Sequence, residues 1–583
     1  MLCMIKTLTH QIKQYKKDTI LTPVFTAGEV FMEVLIPYIT ARIIDYGISQ
    51  QNMHNVWAYG GLMLIMAFVS LFFGVMGGKY GASASSGFAR NLRQGMYENI
   101  QTFSFSNIDK FSTAGLVTRL TTDVTNVQNA FQMILRIAVR APLTLIISLI
   151  MCIVISPKIS LIFLVVLVFL AVFMIPLLTK TTRIFKEVFK RYDDLNASVQ
   201  ENVSAIRVVK AFVREDYEDE KFMKAATNLY NLTVKAESRI AVAMPGMMLA
   251  IYATMVGIAW FGAKFIVAGE MTTGELTSLF SYVMSVLMSL MMLAMIAVML
   301  VMSNASGQRI AEVLEETPDI TNPEHPVMEV TDGQIDFNNV DFSYKTGTGE
   351  KTLSGIDLHI RPGETIGIIG GTGCGKSSLV SLISRLYDVD SGSVFVGGRD
   401  VREYDLEVLR DKVAVVLQKN ELFSGTLAEN LRWGDPDATE EQLRAACETA
   451  CAMEFIEQMP DGFDTHIEQG GTNVSGGQKQ RLCIARALLK HPKVLILDDS
   501  TSAVDTATDA KIREAFRNQI PDTTRIIISQ RISSVQDADR ILVMENGRVD
   551  GFDTHEMLLQ NNAIYQEIYD TQIKAGGDFD EPS

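Results

Sequence analysis

Residues 365–377 read Thr-Ile-Gly-Ile-Ile-Gly-Gly-Thr-Gly-Cys-Gly-Lys-Ser. A β-branched run, Thr365–Ile369, breaks into Gly370-Gly371-Thr372-Gly373-Cys374-Gly375-Lys376-Ser377 and passes directly into an apolar helix. This is G-x-x-x-x-G-K-[ST] in the strand–loop–helix setting that the motif demands. Glycines let backbone N–H groups wrap phosphates at a helix start, Lys376 reaches the terminal phosphates and Ser377 offers a hydroxyl to Mg²⁺. The nucleotide contacts assigned here are Gly370, Gly371, Thr372, Gly373, Cys374, Gly375, Lys376, Ser377 and the following Ser378. Outward from this loop, short strands alternate with helices: Ile335–Phe337, Val340–Tyr344, Ile356–Ile360, Val394–Val396, Val413–Leu417, Val494–Leu497, Arg525–Ile528 and Ile541–Met544. That alternation predicts an α/β phosphate-loop nucleotide-binding domain over 331–583.

Two further motifs belong with the loop. The apolar strand Val494–Leu497 ends in Asp498, the position from which a carboxylate holds the Mg²⁺ that Ser377 also ligates. Asn473-Val474-Ser475-Gly476-Gly477-Gln478 runs into a helix and presents glycine N–H groups at its start, a second anion site. One γ-phosphate does not need two such sites, unless the second serves a nucleotide bound elsewhere.

Upstream the composition changes. The 583-residue chain is 48% hydrophobic, and its apolar stretches near 19–45, 56–82, 132–155, 158–180, 242–267 and 273–302 each reach the roughly 20 residues needed to cross a bilayer. Short connectors alternate with two long, Lys/Arg-rich loops, 83–131 and 181–241, which places those loops, both termini and everything after 302 in the cytoplasm. The expected layout is an α-helical six-span domain over 1–315, a Pro-containing linker over 316–330, then the nucleotide-binding domain. The formal charge of −15 gives no reason to expect nucleic acid; Lys13, Lys16 and Lys17 suit lipid headgroups or a solvated helix face. The six cysteines show neither a zinc nor a disulfide pattern. Pro23, Glu29, Glu33 and Pro37 interrupt the first span, so it is not read as a cleaved signal, and the short segment before it leaves no room for a leader peptidase domain.

Together these motifs resemble the ATP-binding cassette (ABC) transporters, and the whole chain is similar to their exporter-type, multidrug-like half-transporters. The resemblance implies ATP and Mg²⁺ as ligands: Tyr344 stacks on adenine, Ser377, Gln418 and Asp498 hold the metal, and Ser475, Gly476, Gly477 and Gln478 complete an ATP site on the opposite cassette. It places Asp505 at the cassette–cassette interface and coupling helices at about 114–125 and 206–217. Against the family's pattern, Asp499 stands where active members carry a Glu that polarises the attacking water. Gln530, in Ile528-Ser529-Gln530-Arg531, replaces a His and cannot become a cation. Gln469 replaces a Glu that is thought to touch the coupling loops. A base one methylene short is misplaced by about 1 Å, which costs on the order of a hundredfold. Either the enzyme tolerates the changes or Asp499, Gln530 and Lys376 form a degenerate, slow catalytic site whose partner is a different half-transporter supplying the Glu and the His.

Glu29 and Glu33, four apart on one helix face, are read as substrate-facing carboxylates or as packing around the Pro37 kink. Met284, Met288, Met291, Met295, Met299 and Met302, with Met244, Met247, Met248 and Met255, suit either an apolar cavity or helix packing. Cys374 lies inside the phosphate loop at a helix start, where alkylation is expected to weaken ATP binding. The expectation is an ATP-driven exporter of a prokaryotic cytoplasmic membrane, acting on a small-molecule, lipid or peptide substrate. A regulatory ATP clamp and an importer built on an exporter-like fold are the alternatives.

Overall fold

A computed structural model describes residues 2–344 and 351–575, with the side chains of residues 2 and 3, of several positions between 162 and 193, of 297, 298, 301 and 302, and of 573–575 outside the description. The Met302 side chain and the last eight residues of the expected cassette therefore lie outside the described residues. The chain divides into two compact units, Met1–Gln101 with Thr113–Glu316, and Thr102–Ser112 with Thr317–Ser583.

The first unit is all helix: Lys16–Arg42, Met53–Gln101, Val124–Ile155, Pro157–Ser204, Glu215–Ile240, Ala243–Val267 and Thr273–Glu315 are its long elements. Among the described residues five helical stretches are long and apolar enough to cross a membrane. The remaining expected span, 158–180, falls on the helix Pro157–Ser204, part of which is outside the description. Helix starts follow from sequence: Pro157 stands at a first helical position, where its missing N–H is not needed. Thr272 and Glu275 form a reciprocal capping box. Pro23 and Pro37 lie inside Lys16–Arg42, and around Pro37 a neighbouring helix supplies donors, Ser278 Oγ to the Pro37 carbonyl at 2.9 Å and the buried Tyr282 hydroxyl to the Val34 carbonyl at 2.8 Å. Such donors re-satisfy the backbone where a proline interrupts the ladder. Val30, Val34, Ile251, Ile258, Leu279 and Val283 form the packed centre. The methionines divide: Met247 is buried, Met291 packs against that centre, and Met284, Met288 and Met295 are exposed.

The second unit holds two sheets. Six strands lie in the order Arg548–Asp553, Arg540–Glu545, Thr365–Gly370, Thr524–Ile528, Val494–Asp498, Val413–Val416, parallel throughout except for the first pair. An antiparallel sheet runs Leu353–Ile360, Ile335–Phe342, Ser391–Val396, Arg399–Asp400. Two strands expected across 335–344 are one bulged strand, Ile335–Phe342: Asn339, at φ 46°, absorbs the extra residue while its N–H donates to Asp357 at 2.8 Å.

Helix Phe105–Phe111 clusters with this unit and not with the helices flanking it in sequence. Tyr387 donates its hydroxyl to Asp109 at 2.7 Å, Ser106 donates to Asp319 at 2.8 Å and Asn107 to the Thr317 carbonyl at 3.2 Å. The helix of this region that groups with the cassette is 105–111, a correction of the 114–125 expected to dock there. Residues 113–123 instead pack within the helical unit, where the buried Asp123 accepts from Arg309 at 2.7 Å. The 114–125 placement rested on the resemblance alone; along the chain, Met53–Gln101 ends before this segment, and Ser112, at φ 56°, separates Phe105–Phe111 from the helix that starts at Thr113.

Thr524 joins the two sheets at their root. Its buried hydroxyl donates to the Gly333 carbonyl at 2.7 Å and accepts from the Gly363 N–H at 3.0 Å. Thr524→Val leaves both backbone groups unpaired and is expected to cost about 1–3 kcal/mol, read as a lowered midpoint of urea unfolding of the cassette.

Candidate nucleotide-binding site

Parallel strands deliver the site residues to one edge of the sheet. The glycine loop follows Thr365–Gly370, Asp498 ends Val494–Asp498, Gln418 lies just past Val413–Val416, and Ser529–Arg531 follows Thr524–Ile528. Ligands of such sheets bind beyond the carboxyl ends of the strands.

Gly375 stands at φ 98°, and a Cβ there would come within 2.7 Å of Leu353 Cδ2 and 3.1 Å of the Thr352 carbonyl. At Gly370 it would meet the Met544 carbonyl at 2.3 Å. The loop is therefore held tight from behind, whereas Gly371 and Gly373 face open space. Lys376 folds across the mouth, its Nζ donating to the Gly370 carbonyl at 2.9 Å and the Gly371 carbonyl at 2.8 Å.

Ser377 lies near Asp498 and Gln418 near Asp499, each close enough to favour the charged form of its carboxylate. Burial lifts the Asp498 carboxyl above the ordinary range, and the neighbouring Asp499 adds to that, while Ser377 and Lys376 oppose it. Burial likewise lifts Asp499, opposed by Gln418, Arg531 and Lys376. Two adjacent, poorly solvated carboxylates with a hydroxyl and an amide oxygen are a hard-cation donor set, so the residues present fit Mg²⁺ beside a phosphate cradle. Asp499 has φ 49°, a region that Asp adopts more readily than most residues, and its N–H donates to the Ile528 carbonyl at 3.0 Å.

Arg531 was missed from sequence. It is braced on the carbonyls of Val504 and Ser502 at 3.4 and 3.2 Å and acts on Asp499 as a positive charge, which the neutral Gln530 does not supply. The exposed Gln530 is tied through its backbone carbonyl, which accepts from Gln572 at 2.6 Å. Only its position beside Gln530 could have signalled Arg531.

Tyr344, half exposed, places its hydroxyl 2.9 Å from Ser378 Oγ and meets Tyr387 edge-on at 5.1 Å between ring centres. Phe105 of the helix Phe105–Phe111 meets the same Tyr387 at 6.0 Å. Burial and the Asp109 carboxylate push the Tyr387 phenol up.

Ser475–Gln478 open the helix Gly476–Leu488 as a reciprocal capping box: the Gln478 N–H donates to Ser475 Oγ at 3.3 Å and the Ser475 N–H to Gln478 Oε1 at 2.9 Å. Among the described residues no hydrogen bond joins this group to the glycine loop, so the chain does not bring its two anion sites together. Lys479 donates to the Gly470 carbonyl at 2.6 Å and holds the Gln469 loop against the helix. Asp505 is exposed and caps the helix Thr506–Gln519, accepting from the Thr508 N–H at 2.9 Å.

A phosphate-loop cassette with a capped signature helix, joined to membrane-length helices, defines a class. The family description "ABC transporter transmembrane region" matches residues 19–303, and "ABC transporter" matches residues 353–502. The chain is 36% identical over 549 residues to the ABC transporter ATP-binding protein YfiB of Bacillus subtilis, covering 94% of this chain and 95% of that protein. It is 30% identical over 585 residues to the ATP-dependent lipid A-core flippase of Desulfotalea psychrophila, covering 97% and 99%. In fold it is similar to a bacterial Atm1-family ABC exporter with ATP bound, at a TM-score of 0.79 and 22% identity over 96% of this chain and 98% of that one. The chain belongs to the ABC transporters: it is a membrane protein with an exporter-type fold and an ATP-binding cassette.

Cys374 is 7% exposed, with its Sγ 3.6 Å from Lys376 Nζ, so an adduct there has to open the loop. Alkylation by N-ethylmaleimide is expected to be slow, to be blocked by MgATP, and to weaken binding of a fluorescent ATP analogue by about tenfold or more; labelled protein with unchanged affinity would refute this.

Proposed function

We propose that this chain is the degenerate-site half of a heterodimeric ABC exporter. The observation that carries the reading is the contrast between Asp499 and Gln530, each short of the group expected there, and the intact, capped Ser475–Gln478 on the same chain. In a head-to-tail cassette pair this chain's glycine loop faces the partner's signature and its own signature faces the partner's loop. One composite site is then slow and the other fast.

Tyr344 would carry the base, and the loop N–H groups the phosphates. Lys376 would exchange its carbonyl partners for terminal phosphate oxygens. Mg²⁺, held by Ser377, Gln418 and Asp498, would supply the charge that neutralises those oxygens. Asp499 would orient the water, at a cost in reach, with the Arg531 charge favouring its ionised form. Closure of the cassettes around ATP would drive the membrane halves outward and hydrolysis at the partner's loop would reset them.

The segment Ile206–Ala211 and the residues after it support pairing with a second half. Phe212 and Val213 are 74% and 81% exposed at its tip. The cassette carries a matching groove of about 430 Å³ floored by Phe423 and Trp433, stacked at 4.0 Å. The 206–217 segment of the other half would fill it. Cassette and termini are assigned to the cytoplasmic side of a prokaryotic membrane, with an amphipathic small molecule, lipid or peptide as cargo.

Purified alone, the chain is expected to hydrolyse MgATP slowly, and the double change Asp499→Glu with Gln530→His to raise the rate on the order of tenfold to a hundredfold. Paired with its partner, Ser475→Ala should stop fast turnover while nucleotide stays trapped on this chain's loop. Vigorous hydrolysis by the pure chain, abolished by Asp499→Ala, would overturn the assignment.

A further inference from the structure

The two glutamates of the first span are already spoken for. Arg140 donates to Glu29 Oε1 at 2.9 Å and its other nitrogen bonds Glu33, so one guanidinium gathers both carboxylates. A carboxylate pair committed in this way is poorly placed to select a cation, which removes the simplest substrate role the sequence allowed.

Next to it is a cavity of about 540 Å³ within the helical unit, lined by Asn129, Gln132, Met133 and Arg136 of Val124–Ile155 and by Met292 and Met299 of Thr273–Glu315. Among the described residues Arg136 makes no hydrogen bond or ion pair, and its stem lies over Gly81, where a Cβ would meet Arg136 Cδ at 3.4 Å. Glu29 also lines this cavity, although its Oε2 is shielded from solvent and has no hydrogen-bond partner. Ionisable groups inside a span are costly unless they are paired or hydrated, and they mark substrate pathways. A planar guanidinium beside two side-chain amides is built to grip a phosphate or carboxylate. The flexible thioethers that share the lining adapt to varied alkyl groups.

We infer that this cavity is a cargo site for an amphipathic anion: Arg136 takes the phosphate or carboxylate head, Asn129 and Gln132 donate to it, and Met133, Met292 and Met299 hold the apolar part. The inference rests on the exporter reading and supplies its substrate class.

The test uses the full chain in neutral-lipid nanodiscs with two fluorescent probes of equal chain length, a lysophosphatidic acid and an alkyltrimethylammonium. The anionic probe is expected to bind about tenfold more tightly. Arg136→Gln should weaken it about tenfold and leave the cationic probe unmoved, while Arg136→Lys, which keeps the charge but loses the planar fork, should weaken it by less than Arg136→Gln does. Inorganic phosphate should fail to displace the probe. Equal binding of the two probes, or an Arg136→Gln chain that keeps full affinity for the anion, overturns the inference; displacement by phosphate alone overturns its amphipathic part. MgATP binding in the same discs is expected to be unchanged by either substitution. A chain that selects the anion yet binds no ATP would sink the exporter reading and leave the cargo site standing.

Discussion

Parallel strand pairing is the constraint on which the cassette's chemistry depends. Thr365–Gly370 lies between Thr524–Ile528 and Arg540–Glu545, with Val494–Asp498 one strand further out. Because all four run the same way, their carboxyl ends lie on one edge, and residues more than a hundred positions apart in sequence share a single electrostatic environment. The nearness of Ser377 to the Asp498 carboxylate follows from that register. Had one central strand run antiparallel, as Arg548–Asp553 does at the sheet's margin, its terminal carboxylate would lie at the opposite edge.

The helical unit answers a different demand. A bilayer offers no hydrogen bonds to the backbone, so the chain must satisfy its own, and long uninterrupted helices are the result. Where proline interrupts them, hydroxyls of Ser278 and Tyr282 supply donors from a neighbour. Charged groups obey the same rule: Glu29, Glu33 and Arg140 are grouped on one another.

Motifs whose chemistry is carried by backbone or by a fixed residue order were legible in the sequence. The glycine loop, the strand ending in Asp498 and the Ser475 cap each depend on neighbours a few positions away, and each stands where the pattern put it. What was not legible depends on contacts between distant segments. Nothing near residue 105 announces that this helix belongs with Tyr387, because the preference is set by Asp109 and Phe105 meeting a surface built from the cassette. Nothing near residue 140 announces that its arginine will gather Glu29 and Glu33. Arg531 stood in plain view but acquires its role only from the φ 49° turn that brings Asp499 within reach of its charge. The bulge at Asn339 was hidden for a related reason: two short apolar runs look like two strands until their common partners, Leu353–Ile360 and Ser391–Val396, are known.

The grouping of Thr102–Ser112 with Thr317–Ser583 bears on how such chains are inherited and rebuilt. A cassette exchanged between relatives at a single cut near residue 316 would arrive without the eleven residues whose side chains fit it, and would meet a foreign Asp109 and Phe105 instead. The exchangeable module is discontinuous. A chimera keeps the fit of Tyr387 to Asp109 and Phe105 only when both stretches, nearly three hundred residues apart, come from one parent.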